Sequence, residues 1–276
     1  MNKNLIKSAT AIAILGGGLI LASGQSVAGI ANTKHNLGST GSDNNNFTSA
    51  TAEICVFCHT PHGADSDAVV PLWNKSLPLA TSFTTYNTLG TSTLDGGTLA
   101  VGSVSIACLS CHDGAQAMDT VINAPGSGLG TETIGDAADW TGAASGKIGG
   151  IANLGADLRN DHPIGIQYGG GGVTVANSGT DNAVTTATLN DPDFVKPFAK
   201  SMNGIKVWWV NTTGTGGGTV TTREKQDMQL YTRSSEPYVE CASCHDPHVE
   251  NVGNANPTFL RMTNDGSRVC LACHNK

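Results

Sequence analysis

Cys55-Val56-Phe57-Cys58-His59 opens a pattern that returns three times, as Cys108-Leu109-Ser110-Cys111-His112, Cys241-Ala242-Ser243-Cys244-His245 and Cys270-Leu271-Ala272-Cys273-His274. All eight cysteines of the chain fall into these four pairs, and a histidine follows the second cysteine each time. With eight histidines among 276 residues, four such coincidences have a chance probability on the order of one in a million, so the c-type haem attachment reading is very specific. The spacing has a chemical reason. Two thiols add across the two vinyl groups on one edge of a porphyrin, and the adjacent histidine reaches the iron from one face. Zinc sites and thioredoxin-like redox sites also use Cys-x-x-Cys, but neither requires the histidine. Four disulfides, the ordinary reading of eight cysteines in an exported chain, would not need this spacing.

The attachment motifs use His59, His112, His245 and His274 and leave His35, His62, His162 and His248. One free histidine per haem is the number that fills every sixth position, so four bis-histidine haem c groups are expected. His62 stands three residues after His59, and His248 three after His245. A chain pinned to one face of its haem cannot reach the other face in three residues of at most about 3.6 Å each. Each of these histidines is therefore expected to serve a neighbouring haem, with Pro61 or Pro247 stiffening the link. The chain reads as a duplication: His35, the Cys55 motif, His62 and the Cys108 motif, then His162, the Cys241 motif, His248 and the Cys270 motif. The simplest assignment has His62 capping the haem at Cys108 and Cys111, and His248 the haem at Cys270 and Cys273. His35 and His162 are then left for the first and third haems, in either order, within this chain or another copy.

Only 39% of the residues are hydrophobic and 5% aromatic, while glycine contributes 35. The expected fold is a multihaem cytochrome c, mostly irregular, with short helices and a few short β-hairpins wrapped around a chain of four haems whose apolar plates supply much of the core. Residues 1–28 read as an export leader: Lys3 and Lys7, an apolar stretch from Ala9 to Ala22, then Ser26-Val27-Ala28 as a cleavage site. That stretch falls short of the roughly 20 apolar residues of a membrane span, and nothing after residue 28 is hydrophobic enough to be one. The first dihaem unit is expected over 29–125, a Gly/Thr-rich insertion carrying His162 and a hairpin over 126–240, and the second motif pair over 241–276. In the insertion, Ile205-Lys206-Val207-Trp208-Trp209-Val210 is the strand candidate, with Asp227 to Thr232 as its partner. Trp208 and Trp209 would pack within that hairpin, or against a haem face. Gly169–Gly172 and Gly214–Gly218 are expected as loops, since no Gly-Lys-Ser or Gly-Lys-Thr follows them.

Two of the 15 basic residues, Lys3 and Lys7, lie in the leader, leaving 13 against 22 acidic ones, a net of −9. That balance argues against a nucleic-acid partner. No HExxH or GxSxG constellation is present. Six-coordinate irons leave no vacant position for a substrate, so electron transfer is expected in place of catalysis, and a multihaem reductase is the weaker alternative.

The combination Lys34-His35-Asn36-Leu37, Glu53-Ile54-Cys55 to His62, Pro71-Leu72-Trp73-Asn74, Cys108 to Gly114, Asn160-Asp161-His162-Pro163-Ile164, Val207-Trp208-Trp209 and Cys241 to His248 resembles tetrahaem cytochromes of the OmcE type. The resemblance spans nearly all of the chain after the leader. It implies a homopolymer: an extracellular or cell-surface filament with a continuous haem chain, which exchanges electrons with redox proteins or extracellular minerals. In such filaments a histidine of one subunit can complete a haem in the next, a role for which His35 is the candidate. A monomeric periplasmic shuttle is the alternative, and its acidic surface would give salt-sensitive docking to a basic partner.

Overall fold

The computed structural model describes residues 29–41, 46–125, 132–142, 146–179, 183–185, 187–212, 223–249 and 259–275. The leader and the Gly214–Gly218 loop lie outside the described residues. Among the described residues the regular elements are short. Strands β1 (Phe47–Thr48), β2 (Thr120–Val121), β3 (Glu132–Thr133) and β4 (Trp140–Thr141) precede β5 (Ile166–Gln167), β6 (Ala183–Val184), β7 (Phe198–Met202), β8 (Ile205–Val210), β9 (Met228–Arg233) and β10 (Glu236–Val239). The helices are α1 (Ser103–His112), α2 (Cys241–Cys244) and α3 (Arg268–Cys273). None of them is long and apolar enough to cross a membrane.

The insertion builds more than a hairpin. Its strands form an antiparallel sheet of six in the order β5-β10-β9-β8-β7-β6. The expected pair is present, with Trp208 opposite Leu230, Trp209 opposite Gln229 and Val210 opposite Met228. Asp227, expected inside the second strand, sits just before it instead. Its buried carboxylate accepts the backbone N–H of Thr212 at 3.0 Å and of Glu224 at 2.8 Å, tying the two ends of the connecting loop together. Strand alternation sends Trp208 and Val210 to one face. There they meet Tyr168, Val173, Leu189, Met228, Leu230 and Met262. Trp209 turns to the other face and stacks on Phe198, ring centres 5.6 Å apart. Both tryptophans are therefore held by the protein's own core, the hairpin-packing reading. The glycines Gly169 to Gly172 all have positive φ. A Cβ at Gly172 would lie 2.4 Å from the carbonyl oxygen of Thr188, so the loop can pass there only with glycine.

Two apolar platforms result, each next to one pair of cysteine motifs. Leu37, Val56, Phe57, Met118, Val121, Ile134 and Trp140 cluster against Cys58 and Cys111. The sheet cluster packs against Cys244 and Cys273. The halves meet where α1 touches α2: the Ser105 hydroxyl donates to Glu240 Oε2 at 2.5 Å and accepts the Cys241 N–H at 2.9 Å. Arg233 closes the junction, with a guanidinium nitrogen 3.1 Å from Glu240 Oε1.

Candidate functional site

Each CXXCH segment is itself a helical turn, which is where the short helices of the expected fold are found. Cys55–Phe57 is a 3-10 turn, Cys108–His112 ends α1, Cys241–Cys244 is α2, and Cys270–Cys273 ends α3. The histidine N–H closes the turn on the first cysteine's carbonyl in three of them: His59 to Cys55 at 2.8 Å, His245 to Cys241 at 3.1 Å and His274 to Cys270 at 3.0 Å. One turn separates the paired thiols, so both project from the same side.

The same three turns are held by a shared clamp in which a returning segment makes an antiparallel bridge to the histidine: Trp73 to His59, Leu260 to His245 and Phe194 to His274. On either side of each bridge a backbone bond runs one way and then the other. Thr60 N–H donates to Leu72 and Asn74 N–H to Cys58, both at 2.9 Å; Asp246 N–H donates to Phe259 at 2.8 Å and Arg261 N–H to Cys244 at 2.7 Å. At the fourth motif Asn275 N–H donates to Asp193 at 2.7 Å and Val195 N–H to Cys273 at 2.9 Å. The first and third clamps match further. Leu72 and Phe259 both sit in the left-handed region, with φ of 57° and 56°, at a cost of roughly 1–2 kcal/mol each that the clamp bonds offset. The Asn74 amide reaches the carbonyl of Val56 at 2.6 Å, and Arg261 Nε reaches that of Ala242 at 3.0 Å, each binding the residue after the first cysteine.

The histidine rings are oriented for metal binding. Nδ1 of His59 donates to the Pro71 carbonyl, that of His112 to Ala152 and that of His35 to Pro247, all at 2.8 Å; that of His162 donates to Pro163 at 3.0 Å. A carbonyl only accepts, so these Nδ1 atoms carry the proton and each Nε2 keeps its lone pair for a metal. Burial among protein atoms pushes the His35 imidazole down to about 4, so it is neutral and ready to ligate. His248 Nδ1 lies 3.3 Å from Asp246 Oδ1. That bond, first among the causes, holds the Asp246 carboxyl down at about 2.

Two of the CXXCH histidines each face a second histidine. The His59 and His248 ring centres are 6.3 Å apart with planes 14° from parallel; those of His35 and His112 are 6.2 Å apart and 78° from parallel. Two imidazoles bonded through Nε2 to one metal at about 2 Å each have ring centres roughly 6 Å apart. The donor set and its spacing therefore fit an axially ligated haem at Cys55/Cys58 and another at Cys108/Cys111. This corrects the simplest sequence assignment: His248 stands opposite His59 and not His274, and it is His35 that faces His112. As the three-residue argument requires, His248 faces the histidine of a turn other than its own. The same geometry seats His35 within its own chain. His62 and His162 are exposed.

The thiols themselves are ordered in space, and none of the eight is in a disulfide. Cys58 is pushed up to about 12, by burial first and then by the nearby Cys111 thiol. Cys108 is raised by direct contact with Cys241. Cys273 is pushed up to about 12 by burial and then by Cys244. The sulfurs thus run from Cys58 to Cys111, from Cys108 to Cys241 and from Cys244 to Cys273, so the four turns follow one another in chain order.

Residues 237–276, which hold the third and fourth turns, match the family described as the doubled CXXCH motif. No curated protein sequence matches the chain. CXXCH motifs indicate covalently bound c-type haem, and the match of residues 237–276 to a doubled CXXCH motif suggests a multihaem c-type cytochrome with a part in electron transfer.

Proposed function

We propose that the chain carries four haem c groups, all with two histidine ligands, and that it moves electrons along them as the subunit of an extracellular filament. The four CXXCH turns support the haem count, and the histidine contacts at 6.2 and 6.3 Å, each opposite a CXXCH histidine, support two-histidine ligation at the first two of them. His245 and His274 would then take their sixth ligands from His62 and His162, of this chain or of the next copy. Bound haem would supply a one-electron Fe(III)/Fe(II) couple. The chain's own residues hold the ligands: backbone carbonyls fix the imidazole tautomers, and the clamps fix the turns that carry them. With every axial position filled no substrate reaches iron, which sets an electron carrier above a reductase.

The filament rests on the resemblance in sequence, and the export-type leader supports a site of action outside the cytoplasmic membrane. Since His35 is engaged within its own chain, the exposed His62 and His162 become the imidazoles that would face a neighbouring copy. The test is the holoprotein from its native host. A pyridine haemochrome assay should return four haems per chain, EPR should show only low-spin ferric iron, and negative-stain microscopy should show thin fibres. Two haems per chain would sink the haem count. Dispersed particles with four low-spin haems would move the reading to a soluble periplasmic shuttle.

A further inference from the structure

Lys75 is buried, 1% exposed. Its Nζ donates to the backbone carbonyls of Ala117 at 2.9 Å, Met118 at 3.3 Å and Thr120 at 2.5 Å. Three acceptors use all three N–H bonds of an ammonium, one more than a neutral amine has, so the cradle selects the cation. Among the described residues no carboxylate forms an ion pair with it. The charge lies beside the first two attachment turns: the N–H of Asn74, its chain neighbour, donates to the Cys58 carbonyl at 2.9 Å, and Met118, whose carbonyl it meets, belongs to the cluster packed against Cys58 and Cys111. The second motif pair differs. Its two inward-facing cations are neutralised, Arg233 by Glu240 at 3.1 Å and Arg261 by Asp246 at 3.6 Å.

We infer that Lys75 is a potential-setting residue: an uncompensated buried cation that makes the haems at Cys55/Cys58 and Cys108/Cys111 easier to reduce than those at Cys241/Cys244 and Cys270/Cys273. The inference rests on the four-haem reading. Physically, a positive charge out of water favours the form of a neighbouring group that holds one more electron. Asp246, which holds His248, acts in the opposite sense on the first haem, but Arg261 offsets its charge. At an effective dielectric of about 20, a unit charge about 10 Å from a redox group alters its equilibrium by on the order of tenfold. Electrons entering at the fourth turn would then run downhill towards the first.

The test is a potentiometric titration of the holoprotein, with dithionite as the electron donor and low-spin EPR as the readout. The imidazole planes make the first two haems distinguishable. Nearly parallel rings at His59 and His248 split the iron orbitals and give a rhombic signal, whereas perpendicular rings at His35 and His112 leave them almost degenerate and give a strongly anisotropic one. In the wild-type protein the anisotropic signal should vanish before half of the iron is reduced. In Lys75→Met, which keeps the stem and removes the charge, it should vanish at lower potential, by on the order of a tenfold change in the reduction equilibrium, with the third and fourth haems unmoved. An anisotropic signal that is last to vanish in the wild type overturns the inference even if the variant fails to assemble. An equal shift of all four haems, or none, overturns it as well. Haem content measured on the same samples separates this from failure of the four-haem reading, which would show as fewer than four haems per chain.

Discussion

The first and third haem-attachment turns use one backbone clamp with two different side chains. At the first, Asn74 is fully buried: its amide nitrogen donates to Val56 and to Asn123 at 2.6 and 2.9 Å, and its oxygen accepts the Asn123 N–H at 2.9 Å. At the third, Arg261 covers the same position, donating to Ala242 at 3.0 Å and Lys225 at 3.2 Å while its charge meets Asp246. The backbone thus prescribes a donor at this place and leaves its identity open. A neutral donor at the first turn closes it without adding charge, so the neighbouring Lys75 stays uncompensated. The third turn takes a cation and must bring a carboxylate to balance it. The two halves share geometry and differ in electrostatics.

The sharpest way to break this comparison is through the histidine that ties the halves together. His248 leaves the third turn to stand opposite His59 of the first. His248→Ala should remove the rhombic low-spin EPR signal and leave the anisotropic signal of the His35–His112 pair in place. Loss of a signal belonging to the Cys270/Cys273 haem would instead restore the assignment read from sequence. Next in size is Asn74→Ala, which leaves the Val56 and Asn123 groups without partners inside the core. A loss of about 3 kcal/mol is expected in denaturant unfolding of the holoprotein, against about 2 kcal/mol for Arg261→Ala, whose site lies nearer to water. If the order is reversed, the ion pair with Asp246 outweighs the buried amide network. Ser105→Ala follows at about 1–2 kcal/mol, since it deprives Glu240 and the Cys241 N–H of one hydroxyl at the junction of the halves.

Much of the site was legible in the sequence because haem attachment is a local code. Four CXXCH segments can be read without knowing the fold, and the β8–β9 pairing was visible in Val207-Trp208-Trp209-Val210 and its partner run. The clamps were not. Trp73, Leu260 and Phe194 reach their histidines through backbone bonds, and backbone bonding leaves little trace in side-chain identity; only the kinship of Leu72 and Phe259 in φ reveals it afterwards. The pairing of His248 with His59 was misread because proximity along the chain was taken as proximity in space. Counting histidines gave how many ligands there are, but which ring faces which depends on loops that cross between halves. Lys75 escaped notice for a related reason: a lysine in a loop ordinarily points to solvent, and the three carbonyls that hold it come from residues 117–120, more than forty positions away.

The smallest effect expected belongs to a charge pair outside both platforms, and it serves as a control on the electrostatic contrast between them. Asp157 and Arg159 form an exposed ion pair at 2.6 Å. The hydrogen bond from Arg159 holds the Asp157 carboxyl at about 2, below the ordinary range. An acid whose folded value is depressed adds stability at pH above its unfolded value, about 3.9. That contribution falls away as pH drops through 4 towards 2. A carbon-detected NMR titration of the Asp157 carboxyl should therefore give a midpoint near 2 in the wild type, returning towards 3.9 in Arg159→Ala. Because the pair is fully hydrated, Arg159→Ala should leave the unfolding midpoint at neutral pH almost unchanged. It should also leave the order of haem reduction untouched. If removing this solvated charge moved the reduction potentials as much as removing Lys75, burial would not be what gives Lys75 its effect, and the electrostatic difference between the two halves would need another origin.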